Sequence, residues 1–344
     1  MSYSLSQSAL HSILFGDEEV VRLFSAEADL ATCVTFEVAL AAMQAQAGLV
    51  PSAAAKAIAK ALADYAPRPD KFAAAMARDG VAVPSLVAEL RKLVLQQHAM
   101  HLHLGATSQD VIDTSLMLRA AAAVVKIENS LAQGATALKA LDRKFGKEKL
   151  MGHTRMQQAL DIRAADKLAV WQSGISTAQS SLGALRFPLQ LGGPVGVIND
   201  QKLKRALASA LGLDHLDHCW QAERSPIVAI GNACAHVTGA CGKIGQDIAL
   251  MAQNEMGEIK LSGGGTSSAM AHKQNPVKAE VLVSLARFNA TQISALNHAM
   301  VHEQERSGAA WTLEWMILPQ MIVAAATAAR LAVELFGSVV SIGK

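Results

Sequence analysis

The stretch that decides the fold class is "PIVAIGNACAHVTGACGKIGQDIALMAQNE", residues 226–255. Pro226 is a favoured residue for the first turn of a helix. Small residues recur at every fourth position, at Gly231, Ala235 and Gly239, and this spacing allows other helices to approach closely. The stretch therefore predicts one long helix that is surrounded by other helices, including helices of neighbouring subunits.

A membrane span is the alternative interpretation of the same stretch, because no formally charged residue lies between Pro226 and Lys243. Polar residues nevertheless interrupt it, among them Asn232, His236 and Asp247. No uninterrupted apolar run of about 18 residues remains, and a spanning helix needs one. We therefore predict a core helix and no contact with a membrane.

The composition of the whole chain favours closely packed helices. Of 344 residues, 51% are hydrophobic but only 4% are aromatic, whereas sheets are enriched in aromatic and β-branched residues. Four more long helices are predicted. They cover about residues 26–48, 108–144, 155–185 and 276–305. Since thirty helical residues extend roughly 45 Å, the chain is predicted to be all-α and to form an elongated long-helix bundle.

Domain boundaries are predicted from these helices. We expect an N-terminal helical domain at residues 1–105, a central long-helix bundle at 106–306 and a short or truncated C-terminal helical region at 307–344. The segment Phe187–Asp200, "FPLQLGGPVGVIND", has two apolar runs around glycines and predicts a small hairpin or a loop.

Charge and cysteine content limit the cellular setting. The net charge of +2 gives no strong field for nucleic acid, so no nucleic-acid partner is expected. No CxxC pair occurs, which indicates reduced thiols. The first twenty residues contain three acids and do not resemble a signal peptide. Together these features predict a cytoplasmic protein. The four cysteines are Cys33, Cys219, Cys234 and Cys241.

The polar run "GGGTSSAMAHKQNP", residues 263–276, interrupts the helical pattern. Three glycines give its backbone freedom, and a helix is expected to begin near Pro276. A loop with Ser, Lys and Asn beside a helix N-terminus suits the binding of an anion. A surface linker is the alternative interpretation, because glycine-rich loops often only connect elements.

Other chemical motifs are weak or absent. The chain lacks the P-loop spacing and the GxSxG motif. Two stretches are rich in histidine, but neither has a familiar zinc spacing, so we predict no metal and no cofactor. These stretches contain His98, His101 and His103, and then Asp214, His215, Asp217 and His218.

Three ordered stretches resemble the fumarase/aspartase superfamily. "SSAMAHKQNP" resembles the signature GSSxMPxKxNP, "HLHLGATSQDVIDT" resembles the segment that binds a substrate carboxylate, and "MGHTRMQQA" resembles the segment that usually contains GRTH. The resemblance spans nearly the whole chain. It implies a fold of long helices and a homotetramer with a central multi-helix core. It also implies active sites that are shared between three subunits.

The signature implies roles for its polar residues. By resemblance, Ser267 exchanges a proton with the carbon next to a carboxylate, and Lys273 and Asn275 hold that carboxylate while it becomes enediolate-like. Ser268 is expected to contact the substrate. Ala271 replaces the usual proline of the signature, which predicts a more mobile empty loop.

The second segment implies another carboxylate site. Thr107, Ser108 and Gln109 are expected to bind a carboxylate at the start of a helix, although a simple helix cap is equally consistent with these residues. His103 matches a substrate-binding histidine of related lyases or serves only the structure. Arg306 either clamps a further carboxylate or forms a solvated salt bridge.

The third segment departs from the family pattern. Arg155 stands where GRTH has its histidine, and His153 stands where it has its arginine. Arginine cannot donate a proton usefully at neutral pH, so the leaving group should need none. A carboxylate is such a group, because its acid has a pKa of about 4. His153, Arg155 and Gln158 are then expected to bind the substrate.

The cycloisomerase branch of the superfamily has such a leaving group. It adds a carboxylate of a muconate-type tricarboxylate to a double bond of the same molecule, within aromatic breakdown through β-ketoadipate. That reaction is the expected activity, with a small tricarboxylate as substrate. An adenylosuccinate-lyase-like C–N lyase and a catalytically silent scaffold remain as alternatives. By resemblance, Glu280 matches a glutamate that pairs with the histidine of GRTH, so an Arg155–Glu280 ion pair is predicted.

Overall fold

A computed structural model describes residues 5–266, Met270 and residues 274–343. Its α-helices are α1 (Ser12–Phe15), α2 (Glu18–Leu23), α3 (Ala26–Gln46), α4 (Ser52–Leu62), α5 (Ala73–Asp79), α6 (Val83–Leu93), α7 (Gln96–Ala99), α8 (Ser108–Phe145), α9 (Ala164–Gly183), α10 (Gln201–Leu211), α11 (Ser225–Met251), α12 (Val277–His298) and α13 (Ala309–Gly337). Its strands are β1 (Lys149–Thr154), β2 (Gln157–Arg163), β3 (Ile259–Leu261), β4 (Gly265–Thr266), β5 (Gln274–Asn275) and β6 (Val339–Ile342). The prediction of an all-α long-helix fold is confirmed.

Five long helices build the larger hydrophobic core. They are α8, α9, α11, α12 and α13, and their contacting faces are lined by aliphatic residues and alanine. Within this core, α11 packs most extensively on α12, and α13 contacts α8, α11 and α12. Small side chains allow these long axes to approach closely, which explains the low aromatic content.

Glycine explains how closely α11 approaches α12. A β-carbon at Gly231 would clash with Leu296, and one at Gly245 would clash with the carbonyl of Ala279. Gly239, which the spacing had also assigned to close packing, has open space around it, because it lies on a face of α11 that no described residue covers. The small-residue prediction therefore holds at Gly231 within one chain, and at Gly239 it stays a prediction of contact between subunits.

Two predicted helix boundaries are wrong. The helix expected at residues 155–185 begins only at Ala164, because the chain before it pairs as the antiparallel hairpin β1–β2. The helix expected to reach residue 305 ends at His298, and the next residues form a loop that returns to the start of α8. The segment Phe187–Asp200 forms a loop with a single bridge, between Pro188 and Asp214.

A smaller second core gathers around α3. It contains apolar residues of α3, α4, α6 and α10 and two leucines of the loop between α9 and α10, Leu189 and Leu191. Phe36, Leu40, Ile58 and Leu86 are almost fully buried there. The domain boundaries at residues 105 and 306 stay a prediction.

Two helices have the length and hydropathy of a membrane span, α11 and α13. Within their most apolar windows, 61% of the α11 residues and 72% of the α13 residues are buried by the rest of the chain. Core helices of soluble proteins share this property, so the test does not indicate a membrane by itself. The absence of a membrane partner stays a prediction.

Candidate active site

The start of α8 and the loop after α12 meet at one corner of the molecule, which we call the α8 corner: Thr107, Gln109 and Arg306. Nε of Arg306 donates to Oε1 of Gln109 at 3.0 Å, and Nη2 donates to Oγ1 of Thr107 at 3.0 Å. Nη2 also lies 3.3 Å from the carbonyl oxygen of Pro194, to which it donates. Thus residues almost 200 positions apart in sequence converge, although the sequence had assigned Arg306 and the start of α8 to two different carboxylates.

The guanidinium of Arg306 keeps its charge uncompensated at this corner. All three of its hydrogen bonds go to uncharged oxygens, and no ion pair involves it among the residues that the structure describes. The residue is exposed. A cation that is fixed by neutral acceptors at the start of a helix attracts an anion, since the helix dipole acts in the same direction. The interpretation of Arg306 as a partner in a solvated salt bridge finds no carboxylate here.

Ser108 is the first residue of α8, and Asp110 lies in the first turn of the same helix. The hydrogen bonds of Asp110 hold the backbone around the corner in place. The Asp110 carboxylate accepts the N–H of Thr107 at 2.9 Å, which is one half of a capping box. It also accepts the N–H groups of Gly192 and Gly193 at 2.7 and 3.0 Å. Burial raises the pKa of Asp110 to about 6, although these three donors oppose the shift. Asp110 therefore joins the glycine-containing loop to the helix start.

Behind Gln109 lies a buried network of charges. Arg224 is bracketed by two carboxylates: its Nη1 and Nη2 donate to both oxygens of Asp113 at 2.7 and 3.1 Å. Its Nε and Nη2 donate to both oxygens of Glu314 at 2.8 and 2.6 Å. All three side chains are fully buried. Burial alone would lower the pKa of Arg224, but the two carboxylates outweigh it and raise the pKa above its ordinary range.

His302 extends this network towards the loop that carries Arg306. Its Nε2 lies 3.3 Å from Oε1 of Glu314, yet the orientation of the ring leaves both nitrogens without a hydrogen bond. The side chain is fully buried. On the opposite side, Nε1 of Trp311 donates to Oδ1 of Asp113 at 3.0 Å. The first turns of α13 and the loop before it are thus tied to α8.

His103 occupies a buried ion pair. Its Nδ1 lies 2.6 Å from Oε1 of Glu37, whose side chain is fully buried on α3. His103 also adopts a left-handed backbone conformation, with φ of 62°. The structure gives it a partner within the protein, and its contact with substrate stays a prediction. Among the described residues, no group of three or more His, Cys, Asp or Glu side chains converges as a metal site would require.

The hairpin β1–β2 presents the third predicted segment to solvent. Thr154 pairs with Gln157, so Arg155 and Met156 form a two-residue turn, and both have positive φ angles of 49° and 65°. This conformation favours Asn-Gly and is unusual for larger residues. His153, Arg155 and Gln158 are exposed, and the apolar Met156 at the tip is 77% exposed.

The signature segment is described only in part. Ser267, Ser268, Ala271 and Lys273 lie outside the described residues. The flanks of the segment pair as strands β4 and β5, where Gly265 faces Asn275.

Asn275 borders a polar cavity of ≈ 600 Å³, together with Glu255, Glu280 and Arg287. Within one chain, Arg155 and Glu280 form no ion pair, and both are exposed. Their contact between subunits stays a prediction, as do the roles of the signature residues.

The buried network is the part of the site that the sequence interpretation missed. Asp113, Arg224, Glu314 and His302 were not assigned a role. The two ion pairs of Arg224, which build the network, join residues that are 90 and 111 positions apart. One signal was available. Glu314 is the only formally charged residue between Arg306 and Arg330, and a lone charge in an apolar helix needs a buried partner.

Comparison with known proteins assigns the family. The sequence model of a protein family described as Lyase matches residues 14–290. The chain belongs to this lyase family. The predicted superfamily membership is thereby confirmed.

Relatives of this chain carry several activity names, among them a cycloisomerase and a nitrosuccinate lyase. The 3-carboxy-cis,cis-muconate cycloisomerase of Acinetobacter baylyi is 34% identical over 331 residues, which cover 91% of this chain and 73% of the relative. The nitrosuccinate lyase of Streptomyces davaonensis is 35% identical over 329 residues, covering 89% of this chain and 69% of that relative. The prediction of an enzyme agrees with both names.

A solved structure supports the same assignment. The 3-carboxy-cis,cis-muconate lactonizing enzyme of Pseudomonas putida superimposes with a TM-score of 0.89 at 32% sequence identity. The match covers 96% of this chain and 77% of the solved chain. Its name agrees with the cycloisomerase prediction and with the lyase-family fold.

Proposed function

We propose that this lyase-family protein is a cycloisomerase that interconverts 3-carboxy-cis,cis-muconate and a carboxymuconolactone. In the ring-closing direction, a carboxylate oxygen of the substrate adds to a carbon–carbon double bond of the same molecule. The neighbouring carbon takes up one proton. In the reverse direction that proton is removed, the C–O bond breaks, and the carboxylate leaves without needing a proton.

One observation carries the choice of reaction. Arg155 stands where the family pattern has the histidine that helps a basic leaving group to depart. Because an arginine remains protonated at neutral pH, it binds an anion well but is a poor acid. A leaving carboxylate needs only a group that binds an anion, whereas an amine leaving group needs an acid that donates a proton to it. This distinction disfavours an adenylosuccinate-type C–N lyase.

The roles of the residues follow the positions of the charges. Arg306, Thr107 and Gln109 hold one substrate carboxylate at the α8 corner, where the guanidinium has only neutral partners. Ser267 transfers the proton at the carbon next to a carboxylate, and Lys273 with Asn275 stabilises the enediolate-like charge that develops there. Ser268, His153, Arg155 and Gln158 contact the remaining parts of the tricarboxylate.

The length of α8 supports an active site that is shared between subunits. Its 38 residues extend roughly 57 Å from the α8 corner to the hairpin. Even if the six-residue strand β1 folded straight back, it would cover only about 20 Å of this distance. A small tricarboxylate cannot bridge the remainder within one chain.

We therefore propose a homotetramer in which the hairpin of one subunit meets the α8 corner of another. The exposed apolar tip at Met156 and the uncovered face of α11 at Gly239 support such contacts. Light scattering on the purified protein is expected to give the mass of four chains, and a monodisperse monomer would contradict both the assembly and the shared site. The β-ketoadipate pathway in the cytoplasm is the proposed setting.

Elimination from nitrosuccinate is a second candidate, favoured by the 35% identity with the nitrosuccinate lyase. The nitro group that is expelled from that compound leaves as nitrite. Because nitrous acid is a comparatively strong acid, nitrite departs as an anion and needs no proton. The leaving-group argument from Arg155 therefore fits both reactions. The substrates differ in their number of carboxylates, and a direct assay separates them.

The deciding experiment compares three substrates with the same purified enzyme. With 3-carboxy-cis,cis-muconate, we expect the absorbance of the conjugated diene to disappear as the lactone forms. With nitrosuccinate the measured product is nitrite, and with adenylosuccinate it is fumarate. Turnover of the muconate alone supports the proposal. Nitrite release without loss of the diene would transfer the assignment to the second candidate, and turnover of adenylosuccinate would refute the argument from Arg155.

A variant of the signature segment tests the proposed mechanism. Ser267→Ala should lower kcat by about 100-fold or more, as expected when a general acid–base group is lost. The matched control is Ser262→Ala, in the same loop, whose hydroxyl donates to the carbonyl of Ser338 at 3.2 Å. Nearly normal turnover by Ser267→Ala would remove this serine from the mechanism.

A further inference from the structure

The amide of Gln109 has only one orientation that satisfies its neighbours. Its Nε2 donates to Oδ2 of Asp113 at 3.1 Å and to the carbonyl of Gln221 at 2.8 Å, and both of these are acceptors. Its Oε1 accepts from Nε of Arg306, which can only donate. A flipped amide would place donor against donor and acceptor against acceptor. Since Gln109 is fully buried, water cannot relieve such a conflict.

We propose that Asp113 is a positioning residue for Arg306: it fixes the Gln109 amide so that the arginine faces the substrate carboxylate. This inference deepens, and rests on, the proposed function of the α8 corner. Asp113 contacts no part of that corner except Gln109. Asp113 orients the Gln109 amide, and this amide orients the guanidinium of Arg306. Asp113 is therefore expected to affect the reaction only by setting the direction of that guanidinium.

Four donors hold the Asp113 carboxylate in place. Nε2 of Gln109, Nε1 of Trp311 and two nitrogens of Arg224 all donate to its oxygens. Both oxygens are therefore engaged, and the carboxylate cannot rotate without breaking several charge-assisted hydrogen bonds. Arg224 also donates to both oxygens of Glu314, so its guanidinium is held from both sides and keeps its two contacts with Asp113 in one geometry.

Replacing Asp113 with asparagine tests the orientation of the Gln109 amide and not merely the packing around residue 113. An asparagine keeps the shape but replaces one acceptor by an NH₂ group. Every neighbour of the carboxylate is a donor, and each oxygen accepts two of the four contacts, so an NH₂ group in place of either oxygen loses two of them. Gln109 is the only one of these neighbours whose amide can flip to offer an oxygen. The flipped amide would then turn Nε2 towards Arg306 and displace the guanidinium.

The kinetic expectation is a selective effect on binding. Asp113→Asn should raise KM about tenfold, which corresponds to one weakened charged hydrogen bond, while kcat changes by less than about threefold. The matched control is Asp247→Asn, since Asp247 is also a buried aspartate that accepts from a tryptophan Nε1, at 2.8 Å from Trp171. The control should lose thermal stability without the change in KM. Equal KM values in the two variants would overturn the proposal.

A double-mutant cycle separates positioning from general damage. If Asp113 acts through Arg306, then Asp113→Asn should change KM by less than about twofold when Arg306 is already methionine. If the two substitutions instead change KM independently, so that their separate fold-changes multiply in the double variant, the proposal is contradicted. Arg224→Lys provides a second variant in case Asp113→Asn does not fold, because it keeps the buried charge but cannot reach all four carboxylate oxygens. It should raise KM in the same direction.

A direct binding measurement keeps this proposal separable from the proposed reaction. Calorimetry with tricarballylate, a plain tricarboxylate, should show about tenfold weaker binding by Asp113→Asn and unchanged binding by Asp247→Asn. A crystal structure of Asp113→Asn should show loss of the 3.0 Å contact between Arg306 Nε and Gln109 Oε1. If that contact persists, the positioning role is wrong, whichever substrate the enzyme turns over. If the contact is lost while no muconate reacts, only the proposed reaction fails.

Discussion

The α8 corner and the β1–β2 hairpin carry the same kinds of side chain in opposite surroundings. At the corner, Arg306 is held by three hydrogen bonds, and Gln109 behind it is fully buried. At the hairpin, Arg155 and Gln158 are exposed. The His153 ring forms a hydrogen bond with its own strand, to the carbonyl of Met151 at 2.9 Å.

This difference separates what one chain determines from what an assembly must supply. The direction of Arg306 is fixed by hydrogen bonds within one chain, so the corner is preorganised for the anion that we propose it binds. Among the described residues, no such contact fixes the direction of Arg155, and the turn that carries it has an uncommon backbone conformation. In the proposed tetramer, a second surface is expected to order the hairpin and hold its arginine in one position.

The largest effect is expected at the corner. Arg306→Met should lower kcat/KM by about 100-fold, because it removes a charge that is already oriented towards the substrate. Steady-state kinetics on the muconate measure this loss. Arg186→Met is the matched control, since Arg186 is exposed but already paired with Asp214 at 2.7 Å. An Arg306 variant that is no worse than this control would show that the corner binds no anion.

A smaller effect is expected at the hairpin. Arg155→Met should raise KM by about tenfold, because an exposed arginine is less preorganised than a fixed one. The pH dependence of kcat should not change, since arginine does not titrate in the working range. Arg163→Met, at the other end of the same hairpin, serves as the control. A lost limb of the pH profile in Arg155→Met would mean that this residue takes part in proton transfer.

The last effect concerns the rigidity of the corner and is a change in stability. Burial raises the pKa of Asp110 to about 6 in the folded protein, from its ordinary value of 3.8. Between these values the folded state binds more protons than the unfolded state, so the free energy of unfolding falls as the pH rises from about 4 to about 6. The expected decline over this range is about 2 kcal/mol, because one pKa unit corresponds to about 1.4 kcal/mol.

Urea unfolding at fixed protein concentration measures this decline, with Asp110→Asn as the reference at each pH. The difference between the wild type and the variant isolates the titration of this one carboxyl group. The free energy of unfolding of the wild type should exceed that of the variant by the largest amount near pH 4. This difference should decrease towards pH 6. A difference that stays constant, or that grows with pH, would contradict the raised pKa.

The long helices could be predicted because their signals are local. Thr107 or Ser108 supplies a cap for residues 108–144, and both predicted ranges, 26–48 and 108–144, agree closely with α3 and α8. The hairpin was missed because the sequence from Gln157 to Arg163 continues without a break into the helix that follows. Its strands are half exposed and pair only with each other, so hydrophobic alternation is weak there.

The corner itself could be predicted only through resemblance, and of its support the sequence signalled only that Glu314 needs a buried partner, not which residue that partner is. Thr107 and Gln109 belong to a recognisable segment, but their contact with Arg306 spans almost 200 residues. Asp113 and Arg224 are 111 positions apart and form no sequence motif. Pairing of this kind is decided by how helices stack in three dimensions, and single-sequence periodicity contains no information on it.

The length of α8 also has a genetic consequence. Because this helix places the corner and the hairpin at opposite ends of one chain, a subunit that lacks Arg306 and a subunit that lacks Arg155 carry non-overlapping defects. In the proposed homotetramer, assembled from equal amounts of both chains, about a quarter of the sites would receive an intact copy of each arginine. Two impaired alleles would then partly complement each other in one cell, and neither would do so with itself.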